Sequence, residues 1–238
     1  MRIEKIKIET VISQISEVSA LIEFGSEINE DINKRIRTFC TYLDEHPFKG
    51  MIEYVPAFAS VSVIYNPLDI NNEYPYEAVK DILEDILYKL DFSFINEEHI
   101  VEIPVCYGGE FGPDIEEVAK INNLTVDEVI KIHSDGKYLV YMIGFAPGFP
   151  YLGGMSEKIA APRRESPRTA ISKGSVGIAG MQTGVYPIET PGGWQLIGRT
   201  PIKLFNLYGD TKSLLKPGDI AKFYPISYEE YVKLKEEK

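Results

Sequence analysis

Arg163, Arg164, Arg168 and Lys173 all fall in the run PRRESPRTAISKG, within a chain that is otherwise acidic. A guanidinium grips a carboxylate or phosphate through two parallel N–H donors, and a lysine adds a point charge, so such a cluster suits an anionic ligand. The next stretch, GMQTGVYPIETPGGWQLIGRTP, adds the polar groups of Gln182, Thr183, Tyr186, Glu189, Thr190, Gln195 and Thr200, and one more cation, Arg199. Donors and acceptors of this kind orient a small polar ligand in a concave site. His133 supplies a group whose ordinary pKa near neutrality suits proton transfer. It precedes a β-rich run leading into GFAPGFPYLGGM, residues 144–155, which has no charged side chain. Glycine and proline make that stretch turn-forming, so Phe145, Phe149 and Tyr151 must either fold back onto a core or wall a pocket or partner surface.

Other chemistries find less support. In SKGSVGIAG the spacing of Gly174, Gly177 and Gly180 matches neither a dinucleotide fingerprint nor a Walker A loop, and the alternation around Gly177 reads as a strand where backbones approach closely. His46, His99 and His133 are far apart and form no H-x-x-x-H or H-E-x-x-H pattern, so no metal site is expected. AKINNLTVDEV has the look of a helix-turn-helix, but its second helix offers only Lys131 beside Asp127 and Glu128, which argues against phosphate contacts. No nucleophile, histidine and acid series can be picked out by spacing.

The elements that must position these groups divide by texture. Up to residue 94, short β-like runs alternate with helical ones. Ile3 to Ile8 and Val18 to Phe24 read as strands, and Ile28, Ile32, Ile36, Phe39 and Leu43 as one helix face. GMIEYVPAF and ASVSVIYNP read as two pairing strands, with Pro56 at a strand end. Tyr76, Val79, Ile82, Leu83, Ile86, Leu87 and Leu90 mark a second amphipathic helix. This order predicts an α+β domain over residues 1–94, helices on one face of an antiparallel sheet. Over residues 95–238, His99 to Val105 forms a strand, and a helical insert follows in which Asp114 with Glu117 and Thr125 with Glu128 have capping-box spacing. YLVYMI, GSVGIAG, VYPIET, WQLIG, IKLFNL and DIAKFYPI then predict a barrel or sandwich of short strands, with Trp194 in its core.

The composition sets the outer bounds. The 238 residues carry 25 Lys and Arg against 36 Asp and Glu, a net charge of −11, which disfavours nucleic acid and anionic membranes as partners. MRIEKIKIET alternates charge with isoleucine and lacks the apolar core of a signal peptide, and no apolar run approaches a membrane span. Cys40 and Cys106 suggest neither a disulfide framework nor a zinc knuckle, and Asn123-Leu124-Thr125 reads as a chance glycosylation triplet. A soluble cytoplasmic protein is expected.

HSDGKYLVYMIGFAPGFPYLGG, APRRESPRTAISKGSVGIAGMQTGVYPIETPGGWQLIGRTPIKLF and LLKPGDIAKFYPIS together resemble the family of the 5-oxoprolinase B subunit, which includes the Kip inhibitor of a sporulation histidine kinase and is also labelled allophanate hydrolase subunit 1. MIEYVPAFASVSVIYNP extends the resemblance into the first half. The resemblance implies a ferredoxin-like α+β domain followed by a cyclophilin-like β-barrel. It also implies partners, the A and C subunits of 5-oxoprolinase, in an ATP-dependent opening of 5-oxo-L-proline to L-glutamate, with the nucleotide shared among subunits. By motif it makes His133, Arg168 and Arg199 candidate catalytic residues and Lys173, Gln182, Thr183, Tyr186 and Gln195 candidate substrate-binding residues, with Phe149 and Tyr151 at a pocket or interface. The sequence departs from the family pattern at Ser172-Lys173, where Pro-Ala is common, and at Asn206, where Asp often stands. Two other roles fit the family: a non-catalytic kinase inhibitor, and a subunit of a biotin-dependent carboxyltransferase acting on a urea-like substrate.

Overall fold

The computed structural model describes residues 10–92, 98–209 and 212–236. The chain forms two compact units that divide after residue 97. The expected strand from Ile3 to Ile8 lies outside the described residues.

In the first unit, β1 (Val11–Ser16) and β2 (Ser19–Glu23) form a hairpin, followed by α1 (Glu30–Glu45), the hairpin of β3 (Met51–Pro56) with β4 (Ser60–Tyr65), and α2 (Pro75–Lys89). The sheet order is β1-β2-β4-β3, all antiparallel. Period-two alternation turns Ala20 and Ile22 on β2, and Val61, Val63 and Tyr65 on β4, into one core. Ile36, Phe39 and Leu43 from α1 and Val79, Leu83 and Ile86 from α2 complete it, each large side chain contributing about 1.5–3 kcal/mol by leaving water. α1 begins where the Asn29 side chain accepts the Asp31 and Ile32 N–H groups, and α2 begins on Pro75, whose fixed φ suits the first helical turn. Pro56 is the last residue of β3, where it interrupts no ladder.

The second unit is built on one seven-stranded sheet, ordered β10-β9-β12-β5-β13-β6-β7. Its strands are β5 (Ile100–Tyr107), β6 (Tyr138–Ile143), β7 (Pro150–Gly153), β9 (Ser175–Ala179), β10 (Gln182–Val185), β12 (Gln195–Arg199) and β13 (Ile220–Pro225). Only β13 with β5 is parallel. The terminal strands β7 and β10 lie against each other, so the sheet curls into a nearly closed barrel. A side ribbon pairs β8 (Arg168–Ile171) with β11 (Thr190–Gly192). The insert forms α3 (Ile115–Ile121) and α4 (Val126–Asp135), which pack on β12 and β13, and α5 (Tyr228–Glu236) lies near β5. Ile103, Val105, Val140, Val176, Ile178, Ile197 and Phe223 fill the barrel, and Val118 and Val129 join the helices to it.

Three expectations need correction. VYPIET is not one strand: Val185 ends β10, Thr190 opens β11, and residues 186–189 connect the two. IKLFNL forms no strand: Leu204 is buried, and the chain turns back so that Leu214 N–H donates to the Leu204 carbonyl and Asn206 N–H to that of Lys212. Asn206 closes the turn by accepting the Tyr208 N–H, an Asx device that its amide serves well. Of the two expected capping boxes only Thr125 with Glu128 exists. Asp114 sits at the start of α3, but its side chain caps nothing there. SKGSVGIAG is the expected strand: a Cβ on Gly177 would press to 3.2 Å against the Gln195 carbonyl and the Trp194 side chain, while Gly174 and Gly180 turn the chain at positive φ.

Candidate functional site

Asp114 is engaged elsewhere, by residues far along the chain. Its Oδ1 accepts from Arg164 Nη1 at 2.9 Å and Arg168 Nη2 at 2.8 Å; its Oδ2 accepts from Arg168 Nη1 at 2.9 Å and from the Leu196 N–H at 2.6 Å. A carboxylate offers about four lone-pair directions, so this one is filled and leaves no acceptor site for a ligand. It is buried, 5% exposed, while the Arg164 and Arg168 side chains keep 36% and 24% of their surface in solvent. Two guanidinium charges against one carboxylate leave the group positive. Arg163 adds to this: it and Arg168 both lower the pKa of the Tyr186 hydroxyl, together with the Trp194 backbone N–H, against a larger raising effect of burial. The Arg164 backbone N–H donates to the Gly193 carbonyl, and Gln195 Nε2 to that of Pro162, so the start of the arginine run is tied to the segment carrying Trp194.

The aromatic wall beside this cluster comes from the glycine-proline stretch. Phe149 is buried, edge-on to Tyr186 at 5.8 Å, Trp194 at 6.0 Å and Tyr151 at 5.4 Å. Ile171 and Leu196 close this satellite cluster, and Tyr151 packs half-buried against it. Trp194 therefore belongs to this wall and not to the main barrel core. Phe145 is the ring left in solvent, 70% exposed, with φ at +66°. That conformation is an outlier for a bulky residue, of a kind that concentrates at functional sites.

His133 is not on a cavity wall. It has no exposed surface, and it stacks on Phe223 with centroids 4.7 Å apart. Tyr107 Oη lies 2.7 Å from its Nδ1 and Thr183 Oγ1 2.8 Å from its Nε2. Thr183 spends its only hydroxyl proton on the Gly177 carbonyl, so it must accept from His133 Nε2–H. Nδ1 then accepts from the Tyr107 hydroxyl, whose pKa burial raises well above its ordinary value. The ring is the neutral Nε2–H tautomer, and burial lowers its pKa to about 3. His133 and Thr183 thus form a sealed neutral chain across the core. The ordinary pKa of the free side chain, on which a proton-transfer role rests, does not survive this environment.

Arg199 belongs to a different hollow. Its guanidinium lies 4.9 Å over the Phe111 ring, in an open depression of about 490 Å³ that Tyr228, Tyr231 and Lys235 of α5 also line. Burial raises the Tyr231 pKa while Arg199 acts in the opposite sense. Lys173 precedes the Gly174 turn, whose added Cβ would meet the Thr200 carbonyl and the Arg199 side chain, so it falls near Arg199. Gln182 is half-buried at the start of β10. The structure therefore brings together Arg163, Arg164, Arg168, Tyr186 and Gln195 with the Phe149 wall. It separates from them His133 and Thr183, which are internal, and Arg199, which faces α5. Asp114 is the residue that sequence reasoning missed. The available signal was the need of so dense an arginine run for a buried counter-charge.

Residues 10–215 match the profile described as carboxyltransferase domain, subdomain C and D, and the chain belongs to that family. It is 53% identical over 232 residues to the B subunit of 5-oxoprolinase from Bacillus subtilis (strain 168), covering 95% of this chain and 97% of that one. It is 38% identical over 213 residues to the B subunit of 5-oxoprolinase from Escherichia coli O157:H7, covering 89% and 94%. Among solved structures it is similar to the uncharacterized protein PH0987 from Pyrococcus horikoshii, with 46% identity, coverage of 93% and 100%, and a TM-score of 0.55. It is also similar to TTHA0988, with 31% identity and a TM-score of 0.76, where 88% of this chain spans 40% of that longer one.

Proposed function

We propose that the chain is the B subunit of an ATP-dependent 5-oxoprolinase, working with the A and C subunits to open 5-oxo-L-proline to L-glutamate in the cytoplasm. The observation that carries this reading is the 53% identity to a protein of that name over nearly the whole of both chains. The site supports it chemically. A lactam is a stable amide, and transfer of the terminal phosphoryl group of ATP to its carbonyl oxygen, with ADP leaving, makes the carbon open to water; addition of one water and cleavage of the C–N bond give an acyl phosphate, and a second water displaces phosphate from it to give glutamate. Negative charge develops on carbonyl and phosphoryl oxygens along that course, and preorganised cations stabilise it.

In this chain Arg168 and Arg164, held by Asp114 and partly exposed, are the groups for that task. Tyr186 and Gln195 sit in the same cluster and serve orientation, with Phe149 and Tyr151 as the apolar wall. Arg199 lies apart from them, in a hollow of mixed charge that Lys235, Glu110 and Glu236 also line. Gly174, Gly177 and Gly180 belong to tight turns and a buried strand, so the described residues fit an anionic group better than a whole nucleotide, and the nucleotide is assigned to the assembled subunits. A ferredoxin-like reading of the first unit is supported by the run β2, α1, β3, β4, α2 with strand order β2-β4-β3; here β1, which comes earlier in the chain, occupies the remaining edge.

Co-expression of this chain with the neighbouring genes for its partner subunits tests the reading. Glutamate should form from 5-oxoproline only with ATP and only when this chain is present. A full set that makes no glutamate, with tight binding of this chain to a histidine-kinase dimerisation domain, contradicts it.

A further inference from the structure

We infer that Asp114 is a positioning residue which clamps one edge of Arg168 and leaves the guanidinium's other edge for an anionic group of the substrate. This rests on the reading of the arginine cluster as the working site. Arg168 gives Asp114 one proton from Nη1 and one from Nη2, the end of its fork. Of five N–H donors three have no partner among the described residues, and the pairing of Nε with its neighbouring Nη matches a carboxylate or phosphoryl group bidentately. Arg164 spends only Nη1 on Asp114, and its Nε is buried without a hydrogen-bond partner among the described residues.

Three features of Asp114 go beyond ordinary ion pairing. It stands at the start of a helix yet caps nothing, although it has the residue type for that task. Its fourth acceptor site is taken by the Leu196 N–H of β12, which fixes the carboxylate relative to the barrel wall instead of to the loop alone. All four sites are filled by donors, so it acts through the arginines it holds. The arrangement holds two guanidinium groups rigid before the substrate arrives, which is how fixed charges gain catalytic value.

Chemical rescue in the reconstituted complex tests this. With Arg168→Ala, free guanidinium ion should occupy the emptied clamp and restore turnover at least about tenfold, since the carboxylate that orients it is intact. With Asp114→Asn and Arg168→Ala combined, the same ion should restore nothing. Asp114→Asn alone should lower turnover by about 10- to 100-fold, mainly in kcat, with the complex still assembled. Equal rescue of the single and double variants, or wild-type kinetics for Asp114→Asn while Arg168→Ala is inactive, overturns the inference. A second measurement needs no variant and no activity. In the unmodified chain, ¹⁵N NMR should show the Arg168 Nη groups immobilised, and inorganic phosphate should shift its Nε–H signal while the Nη groups stay immobilised. Release of the Nη groups on adding phosphate, or no response of Nε–H, overturns the clamp. A wild-type complex that forms no glutamate contradicts the proposed function instead, and the NMR result then decides the clamp by itself.

Discussion

Two polar clusters in the second unit differ in charge, in saturation and in depth. Tyr107, His133, Thr183 and the Gly177 carbonyl form a neutral chain in the barrel core in which every proton has one acceptor. Asp114, Arg164 and Arg168 form a charged group that spans the boundary with solvent, its carboxylate filled and its guanidinium groups only partly used. The difference teaches which polar residues are scaffold and which are available to a ligand. A saturated neutral chain gains nothing from binding, and opening it costs the desolvation of each group. A cluster with surplus charge and spare donors gains from an anion.

The sharpest break of this comparison is on the charged side. Arg168→Ala should lower kcat/KM of the reconstituted complex by about 10²- to 10³-fold, the range for loss of one oriented donor to a developing negative charge, and steady-state glutamate formation measures it. On the neutral side, His133→Ala should act on stability: it empties core volume and leaves the Tyr107 hydroxyl without its acceptor, for a loss of about 3–5 kcal/mol in urea denaturation.

The neutral chain also fixes a pH dependence. The folded pKa of His133, about 3, lies below its unfolded value near 6.5, so between these the unfolded chain binds more protons. Its contribution is therefore fully present above pH 6.5 and is lost as pH falls towards about 3, at up to about 1.4 kcal/mol per unit. Urea midpoints between pH 7 and 4 should fall accordingly, and His133→Gln should remove this part of the slope. The smallest expected effect lies at the loop. Phe145→Gly relieves the positive φ and should stabilise the chain by about 1 kcal/mol or leave it unchanged, read as the thermal midpoint. A clear loss would mean that the exposed ring packs more firmly than its edge contact with Phe149 suggests.

The sequence reading succeeded where signals are local. Period-two alternation in ASVSVIYNP and 3.6-residue spacing from Ile32 to Leu43 marked β4 and α1, although Ile28 lies before the helix and is exposed, and glycine, proline and aspartate marked the ends of most barrel strands. It failed where a residue's role is set by partners far along the chain. Asp114 carries a valid capping signature three residues from Glu117, yet its partners lie 50, 54 and 82 positions away, and no local pattern records them. His133 meets Thr183 across 50 positions, and only the closed barrel reveals that the ring is sealed. IKLFNL has strand-like alternation, but Leu204 and Leu214 fold it into a turn. Arg168, by contrast, was legible as one of a cationic run and as a match to the family motif, while its pairing with Asp114 was not.

The most direct test compares the two clusters in one assay: turnover of the reconstituted complex, per folded and assembled protein, for Arg168→Ala and His133→Gln. The account predicts that Arg168→Ala loses at least about 100-fold while His133→Gln stays within about threefold of wild type. A large loss in His133→Gln with turnover retained in Arg168→Ala would contradict it.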